Sequence, residues 1–141
     1  MKMTDKNVRN NDMIKVVLLE PGKVARAAEI DSSLRGMQKV VGGYIEAIYP
    51  FPEDVCVVCN EEGKINGMRL NRGMKDDEGK ITDIIAGPCF ICDCRGEKFG
   101  SLSDEQIERY TEKFKLPERF MKFEGEIIAV PYQPKTKEQE L

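Results

Sequence analysis

Val40-Val41-Gly42-Gly43-Tyr44-Ile45-Glu46 divides the chain between two kinds of pattern. Upstream, Leu34, Met37, Val40 and Val41 recur at helical spacing and share one helix face, which Ile30 is placed to join. Asp31-Ser32-Ser33 offers capping oxygens immediately before that stripe. Downstream, Tyr44 to Tyr49 alternates as a strand and stops at Pro50-Phe51-Pro52. Alternation sends Tyr44, Glu46 and Ile48 to one face and Ile45, Ala47 and Tyr49 to the other. Gly42 or Gly43 is expected to take the left-handed conformation that ends many helices.

Working outward, Ile14 to Leu19 is a β-branched run closed by Pro21-Gly22, a buried strand and a turn. Lys23 to Glu29 reads as a strand paired to it, although Ala25, Ala27 and Ala28 leave that segment open. Beyond the joint, Asp54 to Cys59 is an apolar strand, and Glu61-Glu62-Gly63-Lys64 is a turn expected to return the chain along Ile65 to Leu70. Asn66 to Lys75 is polar and reads as an irregular loop. Asp77-Glu78-Gly79-Lys80-Ile81-Thr82 repeats the earlier turn pattern, as the residue preferences of hairpin turns suffice to produce. Ile84 to Cys92 reads as a central strand bent or interrupted at Gly87-Pro88. Ser103 and Gln106 form a capping box with Leu102 and Ile107 as its staple, and Ile107, Tyr110 and Phe114 continue one stripe until Leu116-Pro117. Phe120 to Tyr132 is expected to dock on the body, with Glu126 to Val130 as an edge strand. The expected fold is α+β: one domain over 13–132, a twisted, mostly antiparallel sheet, and two main helices at about 32–41 and 103–115. Residues 1–12 read as a disordered extension and 133–141 as a flexible charged tail.

A chain of 141 residues is long enough to bury roughly two-thirds of its unfolded surface in one domain. With 22 Lys and Arg against 25 Asp and Glu, it has no basic field for general nucleic-acid binding. The absence of histidine removes hydrolytic triads and histidine-bearing zinc sites. No apolar run approaches the roughly 20 residues that cross a bilayer, and the polar start lacks a signal-peptide core. A soluble, cytoplasmic chain is expected. Its five cysteines are expected to stay reduced there.

Cys56-x-x-Cys59 and Cys89-x-x-Cys92-x-Cys94 have the spacing of a zinc site, with Cys56, Cys59, Cys89 and Cys92 as its four ligands. Residues three apart on a strand, however, point to opposite faces, which favours small buried hydrophobes over a metal and leaves no metal or other cofactor expected. Asn60, Glu61, Asn66, Arg69, Asn71 and Arg72 form a polar cluster after the first turn. Arginine and asparagine side chains suit phosphate, carboxylate or base edges, with Tyr44 as a stacking face and Glu46 beside it. The candidate ligand-binding set is therefore Tyr44, Glu46, Asn60, Glu61, Arg69, Asn71 and Arg72, against the alternative that turns are simply rich in such residues. Glu46 with Asp83 or Glu61 is the available carboxylate pair, but no nucleophile with an adjacent base can be assembled, so no catalytic residue is expected. Neither phosphate-loop glycine pattern is present.

Ile14-Lys15-Val16 with Glu20-Pro21-Gly22, Val41 to Glu46, Cys59 to Lys64, Leu70-Asn71-Arg72 and Asp83 to Gly87 together resemble the family "domain of unknown function 3846" over about 14–114. The resemblance implies a small accessory protein of bacteriophages or conjugative elements and brings no activity, cofactor or catalytic residue. The expected function is a non-enzymatic protein that binds and sequesters a small anionic ligand, a nucleotide signal of host defence being the leading example. The alternatives are a module that inhibits a host enzyme and a cysteine-ligated zinc protein. A homo-oligomer is expected, since sheet edges and exposed helices commonly self-associate.

Overall fold

A central five-stranded antiparallel sheet carries both hydrophobic cores of the protein, one on each face, in a computed structural model that describes residues 12–135. Expectations for residues 1–11 and 136–141 lie outside the described residues. The strands are β1 (Met13–Leu19), β2 (Arg26–Asp31), β3 (Ile45–Ile48), β4 (Val55–Asn60) and β7 (Cys89–Asp93), ordered β2-β1-β7-β4-β3. β4 and β7 are buried along their whole length, and all but their last residues, Asn60 and Asp93, are apolar, as strands covered on both faces require. Their alternation divides the interior. Val17, Leu19, Val55, Val57, Cys59, Cys89 and Ile91 point to one face; Val16, Leu18, Cys56, Val58, Phe90 and Cys92 point to the other.

Helix α1 (Leu34–Val41) covers the second face with Met37 and Val41. Ser33 caps it by accepting from the Gly36 amide, and Gly42 ends it at φ 81°. Helix α2 (Asp104–Lys113) covers the first face with Tyr110, and Ile107 and Phe114 pack with it. Its Ser103–Gln106 capping box is complete in both directions. The fold is thus the expected α+β single domain. β1 and β2 pair as a hairpin, which settles the reading left open at the alanines. Among the described residues no helix is long and apolar enough to cross a membrane.

Four local expectations are corrected. Glu61 to Gly67 is a series of turns that does not return as a strand along β4, whose neighbours are β3 and β7. The expected loop after it ends early, because Leu70–Lys75 is strand β5, paired with β6 (Ile81–Ala86) in a separate sheet. The Ile84 to Cys92 segment is interrupted rather than bent, two strands in two sheets, so only its second half, from Cys89, is central. Gly87, at φ 85°, and Pro88, with no amide to donate, break the ladder between them. Finally, Glu126–Pro131 (β9) does not join the central sheet as an edge; it pairs with β8 (Glu118–Phe123) in a hairpin of its own.

Candidate functional site

The two glycines of the joint do different work. Gly42 supplies the positive φ that ends α1, its amide donating to the Gln38 carbonyl at 2.8 Å. Gly43 makes room: a Cβ there would stand 2.8 Å from Nδ2 of Asn60. That amide nitrogen donates to the Val41 carbonyl at 3.1 Å, and Oδ1 of Asn60 accepts from the Glu62 amide at 2.8 Å. Asn60, buried at the end of β4, therefore clasps the helix end to the following turn and satisfies a terminal helical carbonyl.

Asn71 and Arg72 are likewise structural. Both are 0% exposed. The register shift between Leu70 and Arg72 leaves Asn71 as a bulge residue, so the usual alternation of strand side chains fails there. Nδ2 of Asn71 donates to the carbonyls of Leu19 and Gly87, each at 2.9 Å. Arg72 donates from Nε to the Phe114 carbonyl at 3.1 Å and from Nη2 to the Lys23 carbonyl at 2.7 Å. Its Nη1 reaches Oδ1 of Asn71 at 2.9 Å and the Glu20 carbonyl at 3.4 Å. Burial draws the guanidinium pKa down while the Glu118 carboxylate opposes that shift. The residue rivets the turn after β1, the second sheet and the C-terminal end of α2 into one body.

The seven candidate residues do not converge. Arg69 is exposed, donating to the Tyr132 hydroxyl at 3.2 Å. Glu46, Asn60 and Glu61 line a cleft of about 310 Å³ together with Glu62, Lys64 and Asp83. Here carboxylates outnumber the single lysine, and Nζ of that lysine is already bonded to Asp83 at 2.8 Å. This is a poor place for an anion. Burial, then Glu46 and Asp83, push the Cys59 thiol in its wall up to about 11. Cys59 and Cys89 stand on one face of the central sheet and Cys56 and Cys92 on the other, so the four cannot close on one ion.

Tyr44, 71% exposed, lines a different cleft of about 480 Å³ with Asp31, Ser33, Arg35, Gly36, Gln38, Lys39 and Gly43. Arg35 and Lys39 make no ion pair among the described residues. The one carboxylate in the cleft, Asp31, has Oδ1 accepting from the Ser33 amide at 2.9 Å. Two cations one helical turn apart thus stand beside an exposed phenol ring. The signal for them was present in the sequence: positions 35 and 39 lie about 200° around the helix from the buried Met37 and Val41. A family model, Domain of unknown function (DUF3846), matches residues 14–115. No curated protein and no solved structure matches the chain.

Proposed function

The chain belongs to the Domain of unknown function (DUF3846) family, and from the cleft beside α1 we propose that it is a non-enzymatic binding protein for a small anionic ligand with a planar ring, a nucleotide. One observation carries this reading: Arg35, Lys39 and the exposed Tyr44 line a single cleft of about 480 Å³. Cations that make no ion pair among the described residues suit phosphate oxygens, and an exposed aromatic ring suits a base face. In the phage or mobile-element setting that the family resemblance suggests, such a protein sequesters a nucleotide signal of host defence. The chain has no histidine, and its Cys59 and Cys94 thiols are held up near 11, chiefly by burial, which suits holding a ligand rather than transforming it.

Calorimetric titration with adenosine and guanosine mono- and diphosphates tests the proposal. Saturable binding is expected. Tyr44→Ala is expected to weaken it about tenfold, the scale of one stacked base, and Arg35→Ala with Lys39→Ala to weaken it further and flatten its salt dependence. No heat from any nucleotide, or binding indifferent to these substitutions, would sink the reading. A second reading, a module that inhibits a host enzyme through an acidic surface, is favoured by Glu46, Glu61 and Glu62 around the smaller cleft. It requires no nucleotide and leaves the α1 substitutions without effect.

A further inference from the structure

The β8–β9 hairpin lies beyond the residues matched by the family model and presents two unlike faces. It turns at Glu124-Gly125, with φ 52° and 85°, the pair of positive values that a two-residue hairpin turn requires. The inner face is anchored. Oε1 of Glu118 accepts from the Gly73 amide at 2.8 Å, Oε2 stands 3.7 Å from Nζ of Lys75, and the Phe120 ring lies over Gly73, where a Cβ would come within 3.3 Å. Glu118 thereby also occupies an amide on the outer edge of β5.

Among the described residues the outer face is covered only at its base, where the Arg119 guanidinium stands 4.1 Å from the centroid of the Tyr132 ring. Register places Arg119, Met121 and Phe123 of β8 opposite Val130, Ile128 and Glu126 of β9, so these six share a face. Phe123 is 61% exposed, Met121 55%, and Ile128 and Val130 39% each. A two-stranded ribbon is at best marginally stable in water, and four neighbouring apolar side chains left open on it mark a contact surface. The charges indicate the occupant. Arg119 stands at the base of the patch, whereas Glu126 and the turn residue Glu124 stand at its tip, about 13 Å away along the strand. A patch that is basic at one end, apolar in the middle and acidic at the other complements an inverted copy of itself.

We propose that this face joins two copies of the chain in an isologous, two-fold dimer, with Met121, Phe123, Ile128 and Val130 packed together and Arg119 of each copy against the Glu126 end of the other. The contact uses none of the residues of the α1 cleft, so it stands or falls apart from the nucleotide proposal.

Sedimentation of the full chain over a concentration series reads it out, with thermal unfolding as the control for folding. The wild type is expected to dimerise reversibly, and Met121→Lys with Ile128→Lys to raise the dissociation constant at least tenfold. Arg119→Glu alone and Glu126→Arg alone are each expected to weaken the dimer by setting like charges face to face. An equimolar mixture of these two variants is expected to form heterodimers tighter than either homodimer, because both charge pairs are then attractive, one with its sign inverted and the other as in the wild type. A wild type that stays monomeric throughout, a dimer indifferent to the two lysines, or charge variants with no preference for each other would each overturn the proposal. The first of these outcomes would assign the face to a different chain.

Discussion

At the scale of single residues, Arg72 is the position where a site reading and a structural reading diverge most. A ligand-binding arginine on the surface is replaceable at little cost to stability, within about 0.5 kcal/mol. Arg72 instead holds three backbone carbonyls and the Asn71 amide oxygen out of water. Removing it leaves those acceptors unpaired, and charge-assisted bonds of this kind are worth about 1.5–3 kcal/mol each. Arg72→Met is therefore expected to lower unfolding free energy in urea by about 3 kcal/mol; a loss below about 0.5 kcal/mol would return Arg72 to the candidate ligand set. Nothing local distinguishes the two cases, because Leu70-Asn71-Arg72-Gly73 has the composition of a turn. The bulge at Asn71 and the carbonyls that receive its side chain come from segments as distant in sequence as Leu19 and Gly87.

At the scale of elements, α2 was legible because its signals are contained within it: Ser103 and Gln106 cap each other, and one stripe of Ile107, Tyr110 and Phe114 faces inward. Its docking was not legible, since the partner is Glu53 in the connection between β3 and β4. The Glu53 carboxylate accepts from Arg109 Nη1 at 2.6 Å, from the Tyr110 hydroxyl and from Gln106 Nε2 at 3.1 Å. The Arg109 hydrogen bond first, and that of Tyr110 next, hold its pKa at about 2, against an ordinary 4.5. A carboxyl whose folded pKa is depressed contributes stability that is complete above the unfolded value and fades as pH falls through the folded one. The unfolding temperature is thus expected to fall between pH 4.5 and about 2, and Glu53→Gln to flatten that fall while lowering the neutral-pH value; parallel pH profiles for the two proteins would refute the role given to Glu53.

At the scale of the whole molecule, the central sheet is filled on both faces, which places four of the five cysteines in the interior and leaves only Cys94 partly open. A thiol reagent is expected to modify Cys94 ahead of the other four in the folded protein and all five after denaturation; early reaction at Cys59 or Cys89 would show that the face under α2 opens. The sequence by itself determined the fold class, both helices with their caps, the glycine joint, the family, and the separation of Cys56 from Cys59 across a strand. Each of these depends on spacing or conformation within a few residues, where the period of a helix or strand acts directly. Only the tertiary structure decided that β7 lies between β1 and β4, that Gly87-Pro88 carries the chain from one sheet to the other, and that Asn71 and Arg72 are interior. It likewise decided that Tyr44 shares a cleft with Arg35 and Lys39 of α1, away from the polar residues after β4. Strand order and burial follow from which distant apolar faces and carbonyls find each other, a free energy shared across the chain and written in no single stretch of it.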